Sequence, residues 1–113
     1  MNFTYSNKEL FTHLQINVEK LDASNANELK DLLHQLSKQS INNLLFDFSK
    51  TKYCDSSGLS AVLQANRICK DTNGKFCLAV LQPNVLKMIQ IAQLDKVLVV
   101  KESIEDAMEF MKA

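Results

Sequence analysis

Leu44-Leu45-Phe46-Asp47-Phe48, followed closely by Tyr53-Cys54-Asp55-Ser56-Ser57-Gly58-Leu59, is the stretch on which the fold turns. The first run is short and nearly all apolar, which fits a central strand covered on both faces. The second packs a carboxylate, two hydroxyls and a glycine into the step from strand to helix. Helical periodicity begins at Ser56 or Ser57 and continues to about Lys70, with Leu59, Val62, Leu63, Asn66 and Cys69 along the expected inner stripe. The hydroxyls therefore belong at a helix N-terminus, where backbone N–H groups lack helical partners and the local field favours negative charge.

The pattern extends in both directions. Phe3–Ser6 and Phe11–Val18 read as two strands joined through Asn7-Lys8-Glu9, and Leu14, Ile16 and Val18 alternate with polar neighbours at the period of a half-buried strand. Asn25-Ala26-Asn27-Glu28 reads as an N-cap with an acid three residues on, ahead of Leu29, Leu32, Leu33 and Leu36 at helical spacing. Gly74 is expected in the left-handed position that ends the second helix. Phe76–Leu81 is a further strand, and Pro83 opens a helix through Val85, Leu86, Met88, Ile89 and Ala92. Val97–Val100 is a last strand. Ser103-x-x-Asp106 caps a final helix with Ile104, Ala107, Met108 and Met111 inward. The order is β-β-α-β-α-β-α-β-α. It predicts one α/β domain over residues 1–113, a single mixed, mostly parallel sheet of about five strands with about four helices and one antiparallel edge strand. Sites in such sheets gather at the carboxyl ends of the strands, where the serine motif falls.

Composition removes several functions. Thirteen basic and thirteen acidic residues cancel, and no Lys/Arg cluster offers a track for nucleic acid or an anionic membrane. No apolar run approaches the ~20 residues that span a bilayer. Met1–Ser6 lacks the cationic start and apolar core of a signal peptide, so the cytoplasm is expected. Cys54, Cys69 and Cys77 have no C-x-x-C or zinc-like spacing and read as reduced, buried thiols. No metal or cofactor is expected. His13 and His34 are expected to be solvated, and no G-x-S-x-G elbow activates either serine, so catalysis is not expected.

Two readings of the serine motif remain open on local chemistry alone. Either hydroxyl could cap the helix, a contribution of about 1 kcal/mol. Capping does not call for two hydroxyls, a preceding acid and a following glycine. Gly58 in the first turn costs on the order of 1 kcal/mol relative to Ala. It is explained by close backbone packing, or by room left for a partner surface.

Asp55-Ser56-Ser57-Gly58-Leu59 resembles the D-S-[ST]-G-L signature of STAS domains, specifically the bacterial anti-sigma factor antagonists. Leu21-Asp22-Ala23-Ser24-Asn25-Ala26 is similar to the family's segment leading into the first helix, and Leu44–Ser49 to its V-x-L-D-L-S strand. Asn73-Gly74-Lys75 and Leu81-Gln82-Pro83-Asn84-Val85 match further family turns. Three positions depart: Lys20 stands where an acid is usual, Ser60 where glycine is common, and Gln93 where a glycine ends a helix.

The resemblance implies that Ser56 is a phosphoacceptor and Ser57 the helix cap. It implies a partner surface drawn from Asp22, Asn25, Asp55, Ser57 and Gly58. The implied partners are an anti-sigma factor that is itself a serine kinase, and a PP2C-type phosphatase, with the chain a monomer or weak dimer. Tyr53 and Cys54 are expected to pack under the loop, and Asp47 to be a structural acid. The alternative is a STAS module outside sigma control, either a stressosome component or an accessory subunit of a lipid-transport ABC system.

Overall fold

Strand Leu44–Asp47 is buried at every position, as its apolar run requires, and the rest of the molecule is arranged around it. The computed structural model describes residues 1–113. In chain order the elements are β1 (Phe3–Asn7), β2 (Thr12–Ile16), β3 (Lys20–Leu21), α1 (Ala26–Lys38), β4 (Leu44–Asp47), β5 (Tyr53–Cys54) and α2 (Ser56–Asp71). Then follow β6 (Phe76–Ala79), α3 (Pro83–Ile91), a 3-10 turn (Leu94–Lys96), β7 (Val99–Lys101) and α4 (Ile104–Lys112). The main sheet runs β1-β2-β4-β6-β7, with β1 antiparallel at the edge and the other pairings parallel. The predicted mixed α/β architecture is therefore present.

Alternation along the strands sorts residues between two layers. Leu14, Ile16, Leu44, Phe46, Phe76 and Leu78 face α1, α2 and α3 in the larger core. Leu45, Cys77 and Ala79 face the other way, against Ala107 and Met111 of α4. The inner stripe of α2 is not the one its bulky residues suggest. Gly58, Ala61, Val62, Ala65 and Cys69 are buried, whereas Leu59, Leu63 and Asn66 are only half-buried. Small residues let the helix lie close to the sheet, which rotates Leu59 and Leu63 toward the seam with α1.

Three local expectations change. The left-handed residue after α2 is Asn73 (φ 61°), not Gly74. Asn73 N–H donates to Lys70 C=O and Gly74 N–H to Cys69 C=O, the paired bonds of a Schellman ending. Gly74 is needed because a Cβ there would overlap the Asn42 carbonyl. The last strand starts two residues later than expected, since Leu94–Lys96 forms a 3-10 turn and Val97 is exposed. Gln93, in the family's glycine position, is itself left-handed at φ 59°. That conformation costs an L-residue roughly 1–2 kcal/mol, and glycine has the looser unfolded chain. Gln93→Gly is expected to raise stability by about 0.5–1 kcal/mol in urea unfolding. A loss of stability would show that the Gln93 side chain contributes contacts of its own.

Candidate functional site

The end of the sheet that carries the serines is built by two very short strands. Lys20 and Leu21 pair in parallel with Tyr53 and Cys54, joining the loop before α1 to the loop before α2. Asp55 N–H extends the pairing by donating to Leu21 C=O (3.2 Å), and Lys52 and Tyr53 N–H both donate to Glu19 C=O. Thr51, fully buried, donates its hydroxyl to Val18 C=O at 2.9 Å. These bonds place Asp22 and Asn25 beside Asp55–Gly58, as the family pattern implied.

Within this frame the six predicted residues divide. Asp55, not Ser57, caps α2: its carboxylate accepts from Gly58 N–H at 2.9 Å, with its own backbone extended. The reason is geometric, because the helix begins at Ser56 and the cap is the residue before it. Ser56 is exposed and Ser57 half-buried, and neither hydroxyl is spent on a side-chain hydrogen bond. Asp22 is half-buried; Ser24 donates to its carboxylate from its hydroxyl (2.6 Å) and its backbone N–H (3.0 Å). Those bonds, the hydroxyl's first, hold the Asp22 carboxyl below its ordinary range.

Asn25 and Gly58 lie beneath the surface rather than on it. Asn25, 8% exposed, accepts from Asp22 N–H through Oδ1 and donates through Nδ2 to Lys20 C=O. Although it occupies the N-cap position of α1, its side chain staples the preceding loop and makes no capping bond. Gly58 is buried, and a Cβ there would overlap the Leu21 carbonyl oxygen and lie 2.8 Å from Cys54 Sγ. Its lack of a side chain thus serves close packing. Tyr53, expected under the loop, is 48% exposed at the rim, while Cys54 is buried.

Two clefts open along the seam between α1 and α2, and both are bordered by Ser56 and Ser60. The larger, about 520 Å³, has Leu59, Leu63 and Ile68 among its lining, with His34, Gln64 and Arg67. The smaller, about 330 Å³, adds Ser57 on one wall and Ala23, Ala26, Asn27 and Lys30 on the other. Lys30 and Arg67 were not singled out from the sequence. The available signal was the run Ser56, Ser60, Gln64, Arg67, which recurs at helical spacing on one face of α2.

Asp47 is a structural acid, as expected, but His13 is not simply solvated. The His13 Nε2 lies 2.9 Å from Asp47 Oδ2 across β2 and β4. Burial opposes the Asp47 charge, yet the backbone and side chain of Ser49, with His13, outweigh it and hold the carboxyl below its ordinary range. In that window the unfolded chain binds more protons, so stability rises with pH and is lost as pH falls through the folded-state value. Unfolded aspartate titrates near about 3.9, which sets the upper limit of the window. Asp47→Asn is expected to flatten the acid limb of a urea-unfolding pH profile; an unchanged limb would place the acid sensitivity elsewhere. The three free thiols are buried, and burial pushes Cys54 and Cys69 up to about 12 and Cys77 to about 11. They are protonated at neutral pH and have no nucleophilic role there.

The arrangement is a helix tip with a free hydroxyl on an open surface, set on a mixed five-stranded sheet. The STAS domain family model matches residues 8–107, and the chain belongs to this family. Solved structures give the same fold. An anti-sigma-factor antagonist (STAS) domain protein from Planctomyces limnophilus has TM-score 0.88 at 15% identity, covering 98% of each chain. An anti-sigma factor antagonist from Mycobacterium paratuberculosis has TM-score 0.87 at 17% identity, covering 98% of this chain and 93% of that one. The Bacillus anti-sigma factor antagonist SpoIIAA, in its unphosphorylated form, has TM-score 0.83 at 19% identity, covering 97% and 96%. At these identities the likeness carries the fold. No helix is long and apolar enough to cross a membrane.

Proposed function

We propose that this chain is an anti-sigma factor antagonist that switches partners through Ser56. Unphosphorylated, it binds an anti-sigma factor that is also a serine kinase and so frees the sigma factor. The kinase transfers the γ-phosphoryl group of ATP to Ser56 Oγ; the new phosphoester replaces the O–H bond, and ADP and a proton leave. A PP2C-type phosphatase hydrolyses that ester and restores the binding form. The observation that carries this reading is the Ser56 hydroxyl: exposed, in the first turn of α2, and free of side-chain hydrogen bonds.

Asp55 precedes Ser56 and Ser57 follows it, with Asp22 on the loop that the Lys20–Leu21 and Tyr53–Cys54 pairing brings alongside. Asn25 and Gly58 contribute by shaping the loop under it rather than by touching a partner. Catalysis rests with the kinase: His13 faces Asp47, and His34, which shares the larger cleft with Ser56, has its Nε2 against Gln64 rather than on either serine hydroxyl.

The test is to mix the purified chain with anti-sigma kinases and ATP and to locate phosphate by mass spectrometry. Phosphate at Ser56, with the complex lost on phosphorylation, supports the reading. Phosphate elsewhere on the chain would overturn it. So would a stable complex with an ABC ATPase that Ser56→Asp leaves intact, the behaviour of an accessory subunit outside sigma control.

A further inference from the structure

We infer that the seam between α1 and α2 is the docking groove for an acidic amphipathic helix of the partner, with Ser56 at its head. The inference rests on the partner-switching reading only for what Ser56 does; the groove itself stands on its own geometry and charge. The larger cleft offers an apolar floor of Leu59, Leu63 and Ile68, and it joins the smaller one at Ser56 and Ser60. From Ser56 to Arg67 the seam follows α2 for about 16 Å at 1.5 Å per residue, the length of about three helical turns. A concave trough of this length fits the ridge of a helix, whose apolar residues at i, i+3, i+4 and i+7 would meet the floor.

Charge selects the occupant. The chain as a whole has equal numbers of Lys/Arg and Asp/Glu, yet the charged side chains lining the two clefts are both basic, Lys30 and Arg67. Neither is paired with a carboxylate within the fold. The acids near the head of the groove are engaged within the fold: Glu28 accepts from Asn2 Nδ2, Asp55 from Gly58 N–H, and Asp22 from the hydroxyl and N–H of Ser24. An apolar floor between unpaired cations is complementary to a helix with leucine-type residues on one face and carboxylates beside them. A phosphoryl group on Ser56, at the junction of the two clefts, would place its negative charge among these cations and compete with the incoming carboxylates.

The test uses the full chain, isotope-labelled, and a synthetic helical peptide with a leucine stripe flanked by glutamates. A second peptide carries lysine in place of every glutamate. The glutamate peptide is expected to shift amides of Lys30, His34, Ser60, Gln64 and Arg67, and the lysine peptide to bind at least about tenfold more weakly. Arg67→Glu and Lys30→Glu should each reduce affinity about tenfold or more. Arg67 is exposed and Lys30 half-buried, so both variants should melt as the wild type does. Equal binding of the two peptides, shifts confined to another surface, no binding, or preference for phosphatidylserine vesicles over the glutamate peptide would each overturn the groove.

The two readings separate in the kinase assay. If Ser56 phosphorylation abolishes kinase binding while Arg67→Glu and Lys30→Glu leave it unchanged, the groove fails and the switch stands. If the groove variants abolish binding and phosphorylation does not, the switch fails and the groove stands.

Discussion

Gly58→Ala is expected to destabilise the protein by about 3 kcal/mol, an effect opposite in sign to the intrinsic preference of a helix. In an exposed first turn the same change would gain on the order of 1 kcal/mol. Here the new methyl would overlap the Leu21 carbonyl oxygen and crowd Cys54 Sγ and Leu21 Cγ, each at 2.8 Å. Overpacking costs typically 1–3 kcal/mol, with the upper end expected where the obstacle is backbone and cannot rotate away. The same carbonyl accepts from Asp55 N–H, so moving it also weakens the bond that positions the cap, about 0.5–1.5 kcal/mol more. For a domain of this size the net loss corresponds to a fall in Tm of roughly 10–15 °C. Thermal melts of Gly58→Ala in the wild-type and Cys54→Ala backgrounds distinguish the causes. If trimming the cysteine restores the Tm, crowding at Cys54 Sγ was responsible; if the loss persists, Leu21, through its carbonyl and Cγ, sets the limit.

Signals carried within one element were legible in sequence. Ser103 accepts from Asp106 N–H as the capping pattern predicted, Pro83 opens α3, and the alternation of Leu14 and Ile16 reports their inward face. What escaped depends on pieces far apart in sequence. The Lys20–Leu21 and Tyr53–Cys54 strands are two residues long, too short to show any period, and exist only as each other's partner. The His13–Asp47 pair follows from the register of β2 against β4, which aligns Gln15 with Asp47 and leaves His13 two residues away on the same face. The cap is ambiguous in sequence because Asp55, Ser56 and Ser57 are all good capping residues, and only the point at which the helix starts selects Asp55. The sequence leaves Gly58 between close backbone packing and room for a partner, and the packing reading is the one the structure bears out. A missing side chain looks the same whether it makes room for a partner or for Leu21, and only the neighbouring backbone decides.

Ser56→Asp is expected to leave the fold nearly unchanged while reducing affinity for an anti-sigma kinase by at least about a hundredfold. The two halves of this expectation have separate causes. Ser56 is exposed and makes no side-chain hydrogen bond, so its replacement removes nothing from the folded state. A negative charge in the first turn gains about 0.3–1 kcal/mol from the helix dipole. Repulsion from the neighbouring Asp55, which caps the same helix, offsets part of that gain. The Tm should therefore move by no more than a few degrees. Binding is different because the partner must cover this surface, and a charge buried against an unprepared partner is costly. Setting a like charge against an acidic partner surface costs several kcal/mol, and about 2.7 kcal/mol of it is the hundredfold estimate. A full switch from 1:99 to 99:1 requires about 5.5 kcal/mol, so the larger charge of phosphoserine, roughly −1.5 to −2, should exceed the aspartate effect. Calorimetric titration of Ser56→Asp, Ser56→Ala and Ser56-phosphorylated protein into the kinase, beside their melting curves, tests the pair of claims. Ser56→Ala should bind within a few-fold of wild type. A fall in Tm matching the loss of binding would transfer the effect from the interface to the fold, and the partner-switching reading of Ser56 would not survive it.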